Sequence, residues 1–223
     1  MAKKRTISDR QLDRILEEIS RAGTLKRIPR MGWQMRGIIP CESVADHSFR
    51  VIYIAMLLAD ALKAAGATID ANHAIRLAIV HELPETLLTD LAKDPVDLLG
   101  KEAKFGAESI AIERITAGLP DGESYRAQWL EFEEMTSLEA KVVRMADRLD
   151  MMVQAVDYGR VGWKNLDDFW NNDKNFSDYG VPLFAGVWRR LRRNNSSLKT
   201  NLLFTKRRKA ERQAKVLQPT NLL

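Results

Sequence analysis

Residues 138–158, LEAKVVRMADRLDMMVQAVDY, decide the fold. Leu138, Val142, Val143, Met145, Ala146, Leu149, Met151, Met152, Val153 and Val156 cover most faces of a helix at this spacing. A helix that is apolar nearly all round has no side to show to water, so it is expected at the centre of a helical bundle. One carboxylate, Asp147, stands in the middle of that stretch beside Val143, Ala146 and Met151. A buried carboxylate without a partner costs several kcal/mol, so Asp147 should be paired with a cation or bound to a metal.

Helical periodicity continues outward from this stretch. Leu12, Ile15, Leu16 and Ile19 recur at i, i+3, i+4 and i+7, and Gly23 is a natural stop. Residues 24–42 read as a loop rich in Arg, Gly and Pro. Ser43, with Asp46 three residues on, resembles a capping box and opens VADHSFRVIYIAMLLADALKAAG, which stops at Gly66. Asp70 is a good N-cap for ANHAIRLAIVHEL, which Pro84 should disturb or end. Residues 101–118 and 122–136 supply two further helices. After Tyr158 comes the irregular text NNDKNFSDYG, and basic helices are expected near 182–193 and 203–216. No stretch alternates as a strand does, and no internal repeat is visible. The expectation is one all-α domain of about six core helices, 1–160, with an irregular segment and basic helical extension over 161–223.

The chain has three histidines, and helical phase separates them. His47 shares a face with Val44, Val51, Ile54 and Leu58, and His81 with Ala74, Leu77 and Ala78. Both imidazoles should therefore point to one interior. Glu82 follows His81 at a helix end, where its side chain can turn into a cavity. His73 falls in the first turn after Asp70, near a polar surface, and is assigned no role. One histidine on an apolar face is ordinarily a hydrogen-bonded core residue, and one buried Asp ordinarily pairs with Arg; Arg144 and Arg148 are neighbours. Inward imidazoles and carboxylates on three helices of one domain form instead an N/O donor set suited to a hard or borderline divalent metal. There is no Cys set for structural zinc.

Composition narrows the remaining classes. Of 223 residues 45% are hydrophobic and 29% charged, which suits a globular chain with a real core. No apolar run approaches the ~18 residues of a membrane span, and MAKKRTISDRQ lacks the apolar stretch of a secretory signal. Cys41 is the only cysteine, so no intrachain disulfide forms, which fits a cytoplasmic location. The net charge of +5 gathers in the first 36 residues and after Trp188. A polyanionic partner is one reading of that asymmetry, but no base-stacking aromatics interleave the tail's charges, which argues against nucleic acid.

The order of His, a His-acid doublet and a distant Asp resembles the HD-domain metal-dependent phosphohydrolases. It reads here as ESVADHS around His47, VHELPETLLTD from Val80 to Asp90, and RMADRLD around Asp147. LKRIPRMGWQMRG and TSLEAKVVRMADRLDMMVQAVDYG resemble the 5′-deoxynucleotidase branch, and the likeness covers roughly residues 8–160. The resemblance implies an HD-domain helical bundle that hydrolyses a small-molecule (deoxy)nucleotide as a homodimer. It implies a divalent cation (Co, Mn, Zn, Mg or Fe) on His47, His81, Glu82 and Asp147. Glu85 then positions or deprotonates the attacking water or protonates the leaving oxygen. Asp90 contacts the sugar or orients the attack, and Arg30 binds phosphate. Trp33 packs against base or ribose, and Arg36 and Lys93 are further phosphate candidates. Two other outcomes stay open: a deoxynucleoside triphosphate triphosphohydrolase, and an HD domain that binds nucleotide or nucleic acid without turnover. The chain departs from the pattern twice. The doublet is His81-Glu82 rather than His-Asp, and Leu88-Thr89-Asp90 stands where relatives often read Thr-Gly-Asp.

Overall fold

A computed structural model describes residues 7–195. Among these residues the regular structure is helical, with only an isolated antiparallel bridge between Pro29 and Ser43. Ten helices are numbered in chain order: α1 (Asp9–Ala22), α2 (Met31–Gln34), α3 (Val44–Ala64), α4 (Ala71–Val80), α5 (Glu85–Leu88), α6 (Lys93–Leu99), α7 (Lys101–Thr116), α8 (Gly122–Glu134), α9 (Leu138–Arg160) and α10 (Asp167–Trp170). The long ones, α1, α3, α4, α7, α8 and α9, are the six read from the sequence. Tertiary contacts divide the chain into two compact units between Met152 and Val153.

In the first unit α3 packs on α4, α4 on α8, and α7 on α8. Val51 and Ala55 of α3, Leu77 and Ala78 of α4, Ile112 of α7, Trp129 and Phe132 of α8, and Val142, Val143 and Met145 of α9 form its buried core. Burying each of the larger side chains contributes about 1.5–3 kcal/mol. No residue of α9 before Arg160 is exposed, as its apolar circumference requires. Ser43 and Asp46 make the full capping box on α3, and Asp70 caps α4 through the Asn72 and His73 N–H groups.

Helix α1 forms as expected, with a capping box between Ser8 and Gln11, but its apolar face is not covered by described residues. Leu12, Leu16 and Ile19 are exposed. The Arg14 guanidinium donates to the carbonyls of Ala117 at 3.0 Å and Ile115 at 3.2 Å at the open end of α7. Those carbonyls have no intrahelical partner, so a cation there is favourable. Helix α4 ends at Val80, earlier than the periodicity suggests; His81 to Leu83 form a turn, and Pro84 stands at the start of α5.

In the second unit α10 is followed by a 3₁₀ turn, Asp173–Phe176, and by a helical stretch over 182–195. The text that reads as irregular holds itself together. Asn175 donates to the Phe169 carbonyl at 2.9 Å, Trp188 Nε1 donates to the Ser177 carbonyl at 2.9 Å, and Phe176 meets Trp188 edge-on. The basic helix expected near 203–216 lies outside the described residues. No described helix is long and apolar enough to cross a membrane.

Candidate metal centre

His47, on the second turn of α3, is fully buried, and His81, one residue past α4, is 5% exposed. Their ring centroids lie 5.8 Å apart. Each ring uses Nδ1 to hold itself. His81 Nδ1 is 2.7 Å from the Ala78 carbonyl oxygen, which can only accept, so Nδ1 carries the proton. His47 Nδ1 is 2.6 Å from Oδ2 of Asp150. The edge of the Phe132 ring walls His81 from the side.

The other ring nitrogens are the informative ones. Nε2 of His47 and Nε2 of His81 are buried and have no hydrogen-bond partner. Such nitrogens are rare in protein interiors and call for an explanation. Around them stand two carboxylates. Glu82 Oε1 is 3.4 Å from His47 Nε2 and 3.7 Å from His81 Nε2, and Asp147 Oδ1 is 3.4 Å from His47 Nε2. Donor atoms of His47, His81 and Glu82 all lie within 4.8 Å of one another. Bonds of about 2.0–2.2 Å to one divalent ion set neighbouring donors roughly 3–3.5 Å apart; the Glu82 separations from the two imidazoles are close to that, and Asp147 stands beside His47 outside that three-residue group. The extra methylene of Glu82, relative to the Asp of the usual doublet, still brings its carboxylate to both imidazoles.

Electrostatics separate the groups. For His47, burial and the Arg30 charge oppose protonation, but Asp147, Asp150 and Glu82 outweigh them and raise its pKa well above the ordinary imidazole value. His81 moves the other way because burial dominates. Burial also works against ionised Glu82 and Asp147. His81, His47 and Arg30 nevertheless hold Glu82 low, and His47 with Arg148 holds Asp147 low. Glu85 is the exception. Burial, then Glu82 and Asp90, push its carboxyl well above the ordinary range. Its Oε2 is buried with no hydrogen-bond partner.

Arg30 closes one side. Its Nη1 lies 3.3 Å from Glu82, 3.2 Å from Asp90 and 3.8 Å from Glu85. The Arg30 N–H bonds the Glu42 carbonyl at 3.0 Å and the Val44 N–H bonds the Ile28 carbonyl at 2.9 Å, which tethers this segment to the start of α3. Asp90 is buried and accepts the Met31 N–H at 2.6 Å as well as the Arg30 guanidinium. It therefore fixes the arginine segment in place. The Thr before it, Thr89, has φ 64 and ψ 171, a conformation that glycine favours.

Of the residues singled out from the sequence, the structure brings together His47, His81, Glu82, Glu85, Asp90, Asp147 and Arg30. Trp33 is 2% exposed and donates its indole N–H to Glu42 at 2.8 Å, a core anchor beneath the arginine segment. Arg36 bonds the Gly32 carbonyl at 3.0 Å. Lys93 is largely exposed and pairs with Asp97 at 2.8 Å on α6. Sequence reasoning passed over two groups. Asp150, one turn beyond Asp147, is fully buried against His47. Lys104 of α7 is half-buried against Glu108; burial opposes its charge, but Glu108, and after it Glu133 and Glu82, raise its pKa. A second acid one turn along an all-apolar helix was the available signal for Asp150.

Comparison with known proteins places these features in context. Residues 22–178 match the family model described as HD domain. The 5′-deoxynucleotidase HDDC2 of Xenopus laevis is 36% identical over 163 residues, 71% of this chain and 77% of the relative. The Homo sapiens protein of the same name is 35% identical over 163 residues, 71% of this chain and 76% of the relative. Among solved structures, a conserved hypothetical protein from Pyrococcus furiosus has a TM-score of 0.72 at 38% identity, over 80% of this chain and 99% of that one.

Proposed function

The chain belongs to the HD-domain family, and from that membership we propose that it is a metal-dependent 5′-deoxynucleotidase, releasing phosphate from deoxynucleoside 5′-monophosphates. The observation that carries the metal dependence is the pair of buried, unpartnered Nε2 atoms of His47 and His81, ringed by Glu82 and Asp147. These four residues would hold one divalent cation. When bound, the ion supplies Lewis acidity toward a phosphoryl oxygen and acidifies water.

The remaining steps belong to the chain's own side chains. Arg30 presents a planar, permanently charged fork to the phosphate. Asp90 holds that fork and its backbone segment in position. Burial, then Glu82 and Asp90, shift the Glu85 carboxyl above the ordinary carboxylate range, the direction that favours a proton-exchanging group. Glu85 takes the proton of the attacking water at Oε2 or gives one to the leaving 5′-oxygen. The Xenopus laevis and Homo sapiens relatives are named 5′-deoxynucleotidases, which supports the monophosphate reading.

A homodimer working in the cytoplasm completes the proposal. Phe49, Tyr53 and Leu57 lie one turn apart on α3 and are exposed, apolar surface that a second copy could cover. Light scattering tests the dimer. The function is tested by incubating the protein with Co²⁺, Mn²⁺ or Mg²⁺ and each nucleotide, and identifying the products. Orthophosphate from deoxynucleoside monophosphates is expected. Inorganic triphosphate released from deoxynucleoside triphosphates would replace this reading with the triphosphohydrolase, and binding without turnover would replace it with a non-catalytic domain.

A further inference from the structure

We propose that Asp150 is a positioning residue that fixes which ring nitrogen of His47 faces the metal, and that Arg50 in turn fixes Asp150; this rests on the metal-centre reading above. The two histidines solve one problem by different means. His81 lies at the open end of α4, where the Ala78 carbonyl is free to accept its Nδ1–H. His47 lies inside α3, where the carbonyls are committed to the helix ladder. Its Nδ1–H therefore needs an acceptor from elsewhere, and α9 supplies one. Asp147 and Asp150 are one helical turn apart and straddle the ring, with Asp147 3.4 Å from Nε2 and Asp150 2.6 Å from Nδ1.

Asp150 is itself held. Its Oδ1 accepts from Arg50 Nε, and Arg50 Nη2 lies 3.4 Å from its carbonyl oxygen. Arg50 also lies 3.5 Å from Glu42, which accepts the Trp33 indole N–H at 2.8 Å. Donor atoms of Glu42, His47 and Asp150 are close enough to suggest a second ion. The Arg50 guanidinium already supplies the positive charge there, so the group is a hydrogen-bonded relay. A carboxylate behind a ligating histidine sets its tautomer and basicity.

Replacing Asp150 by Asn makes a sharp test because an amide is not symmetric. Arg50 Nε–H still needs an acceptor, so the amide oxygen turns to Arg50 and its NH₂ turns to His47. Nδ1 must then accept, and the ring proton moves to Nε2, on the metal side. In D150N we expect Mn²⁺ and Co²⁺ affinity, measured by chelator competition, to fall about 10–100-fold. In the double variant D150N/R50M the amide is free to turn its oxygen to His47, and a substantial part of the lost affinity returns. A merely structural role predicts the opposite, a double variant worse than D150N.

A measurement on the unaltered protein keeps the test independent of how well D150N folds. In the Zn²⁺-loaded wild type, long-range ¹H–¹⁵N correlation should show the His47 proton on Nδ1 and the metal on Nε2. Metal on Nδ1, or D150N with wild-type affinity, would overturn the proposal and leave the metal centre standing. Wild-type protein that takes up no divalent metal would overturn both.

Discussion

The two ends of α4 carry a histidine each, and they behave as different residues. His73, in the first turn, is a third exposed and places Nε2 2.8 Å from Glu131 of α8. His81, just past the last turn, is buried, spends Nδ1 on a backbone carbonyl and has no partner for Nε2. Burial alone does not make a ligand, since a buried ring with both nitrogens satisfied is an ordinary core residue. What distinguishes the His81 end is a nitrogen that the protein orients and leaves unpaired beside carboxylates.

Breaking the buried end should have the largest effect. His81→Gln and Asp147→Asn are each expected to lose bound metal, measured by elemental analysis, and with it turnover by at least about 10³-fold. Full metal content in either variant would sink that residue's assignment. Glu85→Ala sharpens the comparison by separating metal from proton transfer. It should keep its metal and lose about 10²–10⁴-fold in kcat. Parallel loss of metal would make Glu85 a ligand instead.

Protons compete with metal at the buried end. The carboxylates around His47 raise its pKa, so the imidazolium persists above the ordinary imidazole range and must lose its proton for Nε2 to bind metal. Metal affinity should therefore rise with pH through that range, by about tenfold per unit while one proton is displaced. An affinity flat between pH 6 and 8 would contradict this. Thr89→Gly relieves a positive φ near the same end and should raise unfolding stability by about 1 kcal/mol with catalysis retained. Denaturant titration measures it, and a loss of stability would show that the threonine side chain earns its place. The smallest effect is expected at the exposed end. His73→Gln should leave metal content unchanged and move stability by no more than about 1 kcal/mol.

Much of this was legible in the sequence. The six long helices follow from their apolar period and caps, because those patterns depend on local geometry alone. The inward direction of His47, His81 and Asp147 follows from the same phase. What periodicity cannot supply is the tertiary partner. It finds the apolar stripe of α1 but not what that stripe faces: Leu12, Leu16 and Ile19 are exposed, and Arg14 donates to the Ala117 carbonyl at the end of α7. The family resemblance, not the period, offers Trp33 and Lys93 as substrate contacts; in the structure the indole N–H donates to Glu42 and the ammonium pairs with Asp97. Periodicity finds Asp147 and passes over Asp150, because two acids one turn apart differ only in which nitrogen of His47 each one meets. Short α2, α5 and α6 lack the length for a period to register.

The central claim is that His47 and His81 are held so that both Nε2 atoms meet one ion. Anomalous diffraction at the cobalt edge, from crystals grown with saturating Co²⁺, tests it directly. The account predicts one ion per chain bonded to both Nε2 atoms, with Glu82 and Asp147 among the remaining donors. Two imidazoles without an ion under those conditions, or an ion bound elsewhere, would contradict it.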